Sequence, residues 1–145
     1  MKKILIIGQA PAAVKQKLPY DTTMLYQWLM DANGITSWEA QQLFEFEAIY
    51  NEFPGFDANG GHLKPSKEQM DKHWNDTLET KVQLADKVWV LGNVAKEYIN
   101  SKDKTWSCST DWLYTMHPSK RNFYSFNQNK ERILKSIKVF ITDEI

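Results

Sequence analysis

The chain has 145 residues, with 18 Lys plus Arg balancing 18 Asp plus Glu, three His, one Cys and 13% aromatic side chains. That length suits one domain, able to bury roughly 70% of its unfolded surface without a disulfide or metal staple. A lone cysteine, Cys108, excludes an intramolecular disulfide, a Cys-type structural zinc and a cysteine-ligated iron–sulfur cluster, and points to a reducing compartment, hence the cytoplasm. Zero net charge argues against the sequence-independent grip on phosphate of a strongly basic protein, while leaving room for a local basic patch. No apolar run approaches the roughly 18 residues of a membrane helix, and Met1-Lys2-Lys3 leads into only a few apolar residues before Gly8, so neither a span nor a leader is expected.

Lys3-Ile4-Leu5-Ile6-Ile7-Gly8 is a continuous apolar run ending in glycine, the pattern of a parallel strand buried on both faces. From Thr22 the spacing turns helical, with Leu25, Trp28, Leu29 and Ala32 on one face, Asp21 or Thr22 as N-cap and Asn33-Gly34 as the stop. Thr36-Ser37-Trp38-Glu39 has the form of a capping box, opening a brief helix before a second strand, Phe44-Glu45-Phe46-Glu47-Ala48-Ile49-Tyr50. Residues 51–65 hold Pro54-Gly55, Asn59-Gly60-Gly61 and Lys64-Pro65, a long loop of the kind that carries function in small domains. A second capping box, Ser66 to Gln69, opens a helix with Met70, Trp74, Leu78, Val82 and Ala85 at near-helical spacing. Val88-Trp89-Val90-Leu91-Gly92 repeats the strand-to-glycine pattern, after which Asn93 is expected to cap a helix bearing Val94, Ala95, Tyr98 and Ile99. Trp112 to His117 reads as a fourth strand, and Ile133, Leu134, Ile137, Phe140 and Ile141 as a closing helix on the sheet.

Strands alternating with helices, without internal repeat or linker, predict a single α/β domain over residues 1–145: a three-layer α/β/α sandwich around a short, mainly parallel four-stranded sheet. Ligands of such sheets bind outside the carboxyl ends of the strands. The segments expected there are Gly8-Gln9-Ala10-Pro11-Ala12, the Glu47 to Gly55 region, Gly92-Asn93, and His117-Pro118-Ser119-Lys120-Arg121-Asn122.

With a Gly-Gln-x-Pro turn after the first strand and a His-Pro-Ser turn after the last, the chain resembles the uracil-DNA glycosylase superfamily, whose two signature loops these are. The segment from His117 to Asn122 is most similar to the His-Pro-Ser-Pro-Arg-Asn of the single-strand-selective monofunctional members, with Lys120 replacing the second proline. Gly8-Gln9-Ala10-Pro11 lies between the Gly-Gln-Asp-Pro and Gly-Glu-Ala-Pro forms of other branches; Leu91-Gly92-Asn93, Ala95 and Pro19-Tyr20 also fit the iron–sulfur-type branch, whose cluster cysteines are missing here. The resemblance implies a DNA glycosylase of base excision repair that acts on uracil or a related modified pyrimidine, without cofactor, metal or membrane partner, and as a monomer.

It also implies roles. A glycosylase extrudes a nucleotide and must stabilise negative charge on the departing base, a task that falls on His117 as a hydrogen-bond donor to the base oxygen. Gln9 and the turn at Ala10 line the other side of the base, and Tyr20 stacks on its face. Ser119, Lys120, Arg121, Asn122 and Phe123 face the DNA, the last as a wedge candidate beside Arg121. Phe123, Tyr124 and Phe126 form either an aromatic contact surface for nucleic acid or packing for the final helix.

Two departures leave alternatives open. The aspartate that orients water in Gly-Gln-Asp-Pro members is Ala10 here, so a carboxylate must come from Asp21, Glu47 or Asp57. The asparagine that reads the Watson–Crick edge falls at Asn51, or at Glu47 when the chain is aligned by Pro54-Gly55; an ionised carboxylate accepts hydrogen bonds but cannot donate to a base carbonyl. A catalytically impaired module that binds DNA or a base is the alternative function, and a generic nucleotide- or phosphate-binding α/β protein is a third.

Overall fold

The computed structural model describes residues 4–9, 23–52, 54–56, 58–60, 63–102, 110–118 and 123–142, with the backbone alone at 123–125. In chain order these form β1 (Ile4–Gly8), α1 (Thr23–Asn33), α2 (Ser37–Leu43), β2 (Phe44–Ala48), α3 (Lys67–His73), a π-helical turn (Trp74–Leu78), α4 (Glu79–Leu84), β3 (Lys87–Leu91), α5 (Asn93–Asn100), β4 (Asp111–Thr115), α6 (Phe123–Gln128) and α7 (Lys130–Thr142). The strands form one sheet in the order β2-β1-β3-β4, every adjacent pair parallel. Ile6 lies opposite Phe46 on one side and Trp89 on the other, and Trp89 opposite Leu113.

Side chains of a strand alternate between faces. Ile6, Phe44, Trp89 and Leu91 pack with Leu25, Trp28 and Leu29 of α1, Ala40 of α2, Phe126 of α6 and Ile133, Ile137 and Phe140 of α7. Leu5, Ile7, Val88 and Val90 face the opposite way, against Trp74, Leu78 and Val82 of the α3–α4 segment and Ala95, Tyr98 and Ile99 of α5. Each fully buried Leu, Ile or Val contributes about 1.5–3 kcal/mol relative to exposure, so the runs around β1 and β3 hold both outer layers to the sheet. The result is the expected three-layer α/β/α domain.

Local signals explain the element ends. Gly34 takes φ +67°, where side chains are strained, and its N–H donates to Met30 O at 2.9 Å, closing α1. Both capping boxes form: Glu39 N–H donates to Thr36 Oγ1 and Thr36 N–H to Glu39 Oε1, each at 3.2 Å, and Ser66 N–H donates to Gln69 Oε1 at 2.8 Å.

Three expectations are adjusted. Met70, Trp74, Leu78 and Val82 recur every four residues, longer than the 3.6 of an α-helix, and the under-wound turn at Trp74–Leu78 keeps that lagging stripe on the core. Gly92 rather than Asn93 is the residue capping α5, and β4 ends at Thr115 instead of reaching His117. The helix α6 was not anticipated, and its Phe126 is buried, stacked on Trp28 with ring centroids 4.6 Å apart; of the two readings of that aromatic, packing is the correct one.

Candidate active site

The chain runs from β1 to β2 on one side of β1, then crosses to β3 on its other side. In open α/β sheets such a reversal marks the crevice where ligands bind, which here falls outside the carboxyl ends of β1 and β3, where Gln9 and Gly92 stand. On the β2 flank, Ile49 N–H donates to Gly8 O at 2.9 Å, holding the two strand ends together as they finish. On the β4 flank, Gly92 N–H donates to Thr115 O at 2.8 Å.

Gly92 is required there. It has φ +85° and ψ 162°, and a Cβ on it would meet His117 Cβ at 3.3 Å. The turn into α5 therefore lies directly against His117, which is half-buried and followed by buried Pro118. A second tie comes from below: the Trp89 indole N–H donates to Thr115 Oγ1 at 2.9 Å, and that hydroxyl donates to Met116 O at 3.1 Å. Trp89 is fully buried in β3, so the peptide leading into His117 is anchored to the core. Sequence pattern offered no signal for this tie, because it joins a core tryptophan and a strand-end threonine 26 positions apart.

The β2 flank is charged. The Glu47 side chain, 16% exposed, accepts a hydrogen bond from the Lys81 ammonium and lies 3.4 Å from His73 Nε2, while Glu45 stands 3.5 Å from Lys81. Burial pushes the Glu47 carboxyl upward, but His73 and Lys81 together outweigh it and hold the group below its ordinary value. His73 is 6% exposed, and its buried Nε2 makes no hydrogen bond among the described residues. Beside it Tyr50, Asn51, Gln69, Lys72 and His73 line a cleft of about 210 Å³. Asn51 is exposed, and Gln69 donates to Tyr50 Oη at 3.2 Å, attaching this segment to α3.

Of the residues nominated from sequence, Gln9, Glu47, Asn51 and His117 thus sit at or just below the carboxyl ends of the strands, with Gln9 between the two flanks. Ala10, Tyr20, Asp21, Asp57, Ser119, Lys120, Arg121 and Asn122 lie outside the described residues, and Phe123 opens α6 with its side chain also outside them. Among the described residues no group of three His, Cys, Asp or Glu is placed to hold a metal ion, and no helix is long and apolar enough to cross a membrane.

A parallel 2-1-3-4 sheet covered on both faces defines a three-layer α/β/α protein, a class in which ligands bind at the strand ends. The model of the uracil DNA glycosylase superfamily matches residues 1–140, and the chain belongs to that superfamily. Among solved structures it is similar to the wild-type SMUG2 of Pedobacter heparinus, with a TM-score of 0.56 and 13% identity over 95% of this chain and 73% of that one, a likeness of fold. No curated protein matches the chain.

Proposed function

We propose that the protein is a monomeric DNA glycosylase that hydrolyses the N-glycosidic bond of uracil or a related modified pyrimidine in DNA. The observation carrying this reading is the clasp on His117: Gly92 against its Cβ and the Trp89–Thr115–Met116 chain beneath it, on a crevice flank, in a chain of this superfamily. Such preorganisation is what a donor aimed at a developing oxyanion needs, because no reorganisation is then left for the moment of reaction.

In this reading a flipped pyrimidine enters outside β1 and β3, between Gln9 and Tyr20. Water adds to C1′ as the bond to the base nitrogen breaks, the electron pair leaves with the base, His117 donates a hydrogen bond to the base oxygen on which the charge collects, and the proton lost by the water ends on the freed base through solvent. The β2 and β4 ends are three strand spacings apart, roughly 14 Å, a span that inward-reaching side chains and one pyrimidine fill. Asn51 is assigned as the reader of the base edge, since the Glu47 carboxylate is already committed to Lys81 and faces His73. The same commitment leaves Asp21 and Asp57, and of these Asp21, next in the chain to the stacking Tyr20, is our choice to orient water in place of the aspartate replaced by Ala10. Ser119, Lys120, Arg121, Asn122 and Phe123, which follow the clasped segment directly, are assigned to the DNA backbone and the vacated stack.

The test is alkaline strand cleavage of oligonucleotides carrying uracil, hydroxymethyluracil, hypoxanthine or thymine, single-stranded and paired with A or G. His117→Ala is expected to lower excision about 100- to 1000-fold with folding intact. Equal activity in that variant refutes the mechanism. The second reading, a module that binds DNA without cutting it, is favoured by Ala10, and oligonucleotide binding without excision of any of these bases would select it.

A further inference from the structure

Beside the His117 clasp, on the outer side of edge strand β4, lies a cleft of about 180 Å³ between α5 and α7. Lys96 of α5 and Arg132 of α7 stand on its two walls, with Asn93, Tyr114 and Met116 between them. No carboxylate is among the described residues that line it. Neither cation has an ion pair among the described residues; Lys96 Nζ lies 5.7 Å from the centre of the Tyr114 ring, a contact that holds the ammonium without neutralising it. In a chain with 18 cations and 18 anions, two unopposed cations converging on one hollow from separate helices are the signature of an anion site. Met116 lines this hollow and is bonded to His117, so an anion held here lies one residue from the proposed catalytic donor.

We propose that this cleft binds a backbone phosphate of the DNA strand that carries the target nucleotide, using Lys96 and Arg132. The inference rests on the glycosylase reading for the identity of the anion, and it adds a phosphate contact on the β4 edge to those assigned to residues 119–123. A guanidinium presents planar paired donors suited to phosphate, whereas the Lys96 ammonium acts as a point charge at the other wall.

The experiment is fluorescence anisotropy of a labelled single-stranded oligonucleotide containing uracil, titrated with wild type, Lys96→Ala/Arg132→Ala and Lys67→Ala/Lys72→Ala over a salt series. Loss of this one phosphate contact is expected to flatten the slope of log affinity against log salt by about 0.7, equivalent to roughly fivefold weaker binding at 0.1 M salt. The α3 pair, on the β2 side, is expected to keep the wild-type slope, and melting curves verify that all three proteins are folded. An unchanged slope in the Lys96/Arg132 variant, or an equal change in both variants, overturns the site. Either result leaves the glycosylase reading standing if wild type excises a base; conversely, wild type that binds through the cleft but excises nothing refutes catalysis and upholds the site. A wild type that binds no oligonucleotide overturns both.

Discussion

Replacing Gly92 by alanine couples the fold to the proposed chemistry at one atom. The residue sits at φ +85° and ψ 162°, a region essentially reserved for glycine, where another residue costs about 1–3 kcal/mol. Its new methyl would also lie 3.3 Å from His117 Cβ, so His117 must give by a few tenths of an ångström. A misplacement of 1 Å at an active site costs on the order of 100-fold in rate, and scaling to that smaller shift gives roughly a three- to tenfold loss of excision. Urea denaturation measures the first quantity, and single-turnover excision of a uracil oligonucleotide the second. The double variant Gly92→Ala/His117→Gly separates the causes: removing the facing Cβ relieves the contact, whereas the backbone cost persists. Coupling in that cycle is therefore expected, with the double variant more stable than additivity allows. Wild-type stability and rate in Gly92→Ala would show that the turn and His117 do not constrain each other. Zero coupling would assign the whole cost to backbone conformation.

Two further expectations follow from the buried charges. Glu47 has a lowered folded pKa, so its ionised form contributes stability above the ordinary value of 4.5, lost as pH falls through the lower folded value. Glu47→Gln is expected to cost about 1–3 kcal/mol at pH 7, leaving Lys81 and His73 without the carboxylate, and to flatten the acid limb of a urea-midpoint profile; a limb as steep as wild type refutes the assignment. Lys87, 7% exposed, donates to Phe140 O at 2.6 Å and to Ile141 O at 3.3 Å, satisfying carbonyls at the end of α7. Lys87→Met is expected to destabilise by about 1–3 kcal/mol with excision by the folded protein unchanged, and an unshifted urea midpoint contradicts that role.

Much of the fold was legible because its signals are local. Ile4 to Gly8 and Val88 to Gly92 announce buried parallel strands by composition alone, and each capping box is complete within four residues. The π-helical turn was written in the four-residue spacing from Met70 to Val82, a regularity that passes for ordinary helix unless its drift is followed. Phe126 was ambiguous because an aromatic beside basic residues suits both a nucleic-acid surface and a core; its stack on Trp28, about a hundred residues away in sequence, decides the matter only in three dimensions. The signature turns placed Gln9 and His117 just past the ends of β1 and β4, where the sheet has them, but not what holds them there. The Trp89–Thr115 bond and the Glu47–Lys81 pair join positions 26 and 34 apart, and no periodicity encodes such pairings.

The two flanks of the crevice are built differently, and the difference bears on what each can do. The β4 flank is fixed by a buried tryptophan, a strand-end hydroxyl and a glycine that leaves no space for a side chain, so the peptide entering His117 has little freedom. Geometry held that firmly suits a donor whose worth depends on meeting charge at one oxygen. The β2 flank relies on a compensating pair of charges, Glu47 with Lys81, with His73 beside the carboxylate, followed by the Tyr50–Asn51 segment attached to α3 through Gln69. With the Glu47 carboxylate neutralised below the strand end, the proposed reading of a base falls to the exposed Asn51 above it. On the glycosylase reading proposed above, leaving-group stabilisation is assigned to the β4 edge and discrimination among bases to the β2 edge. With Ala10 in place of a carboxylate at the central loop, the proposed chemistry depends all the more on the edge that holds His117.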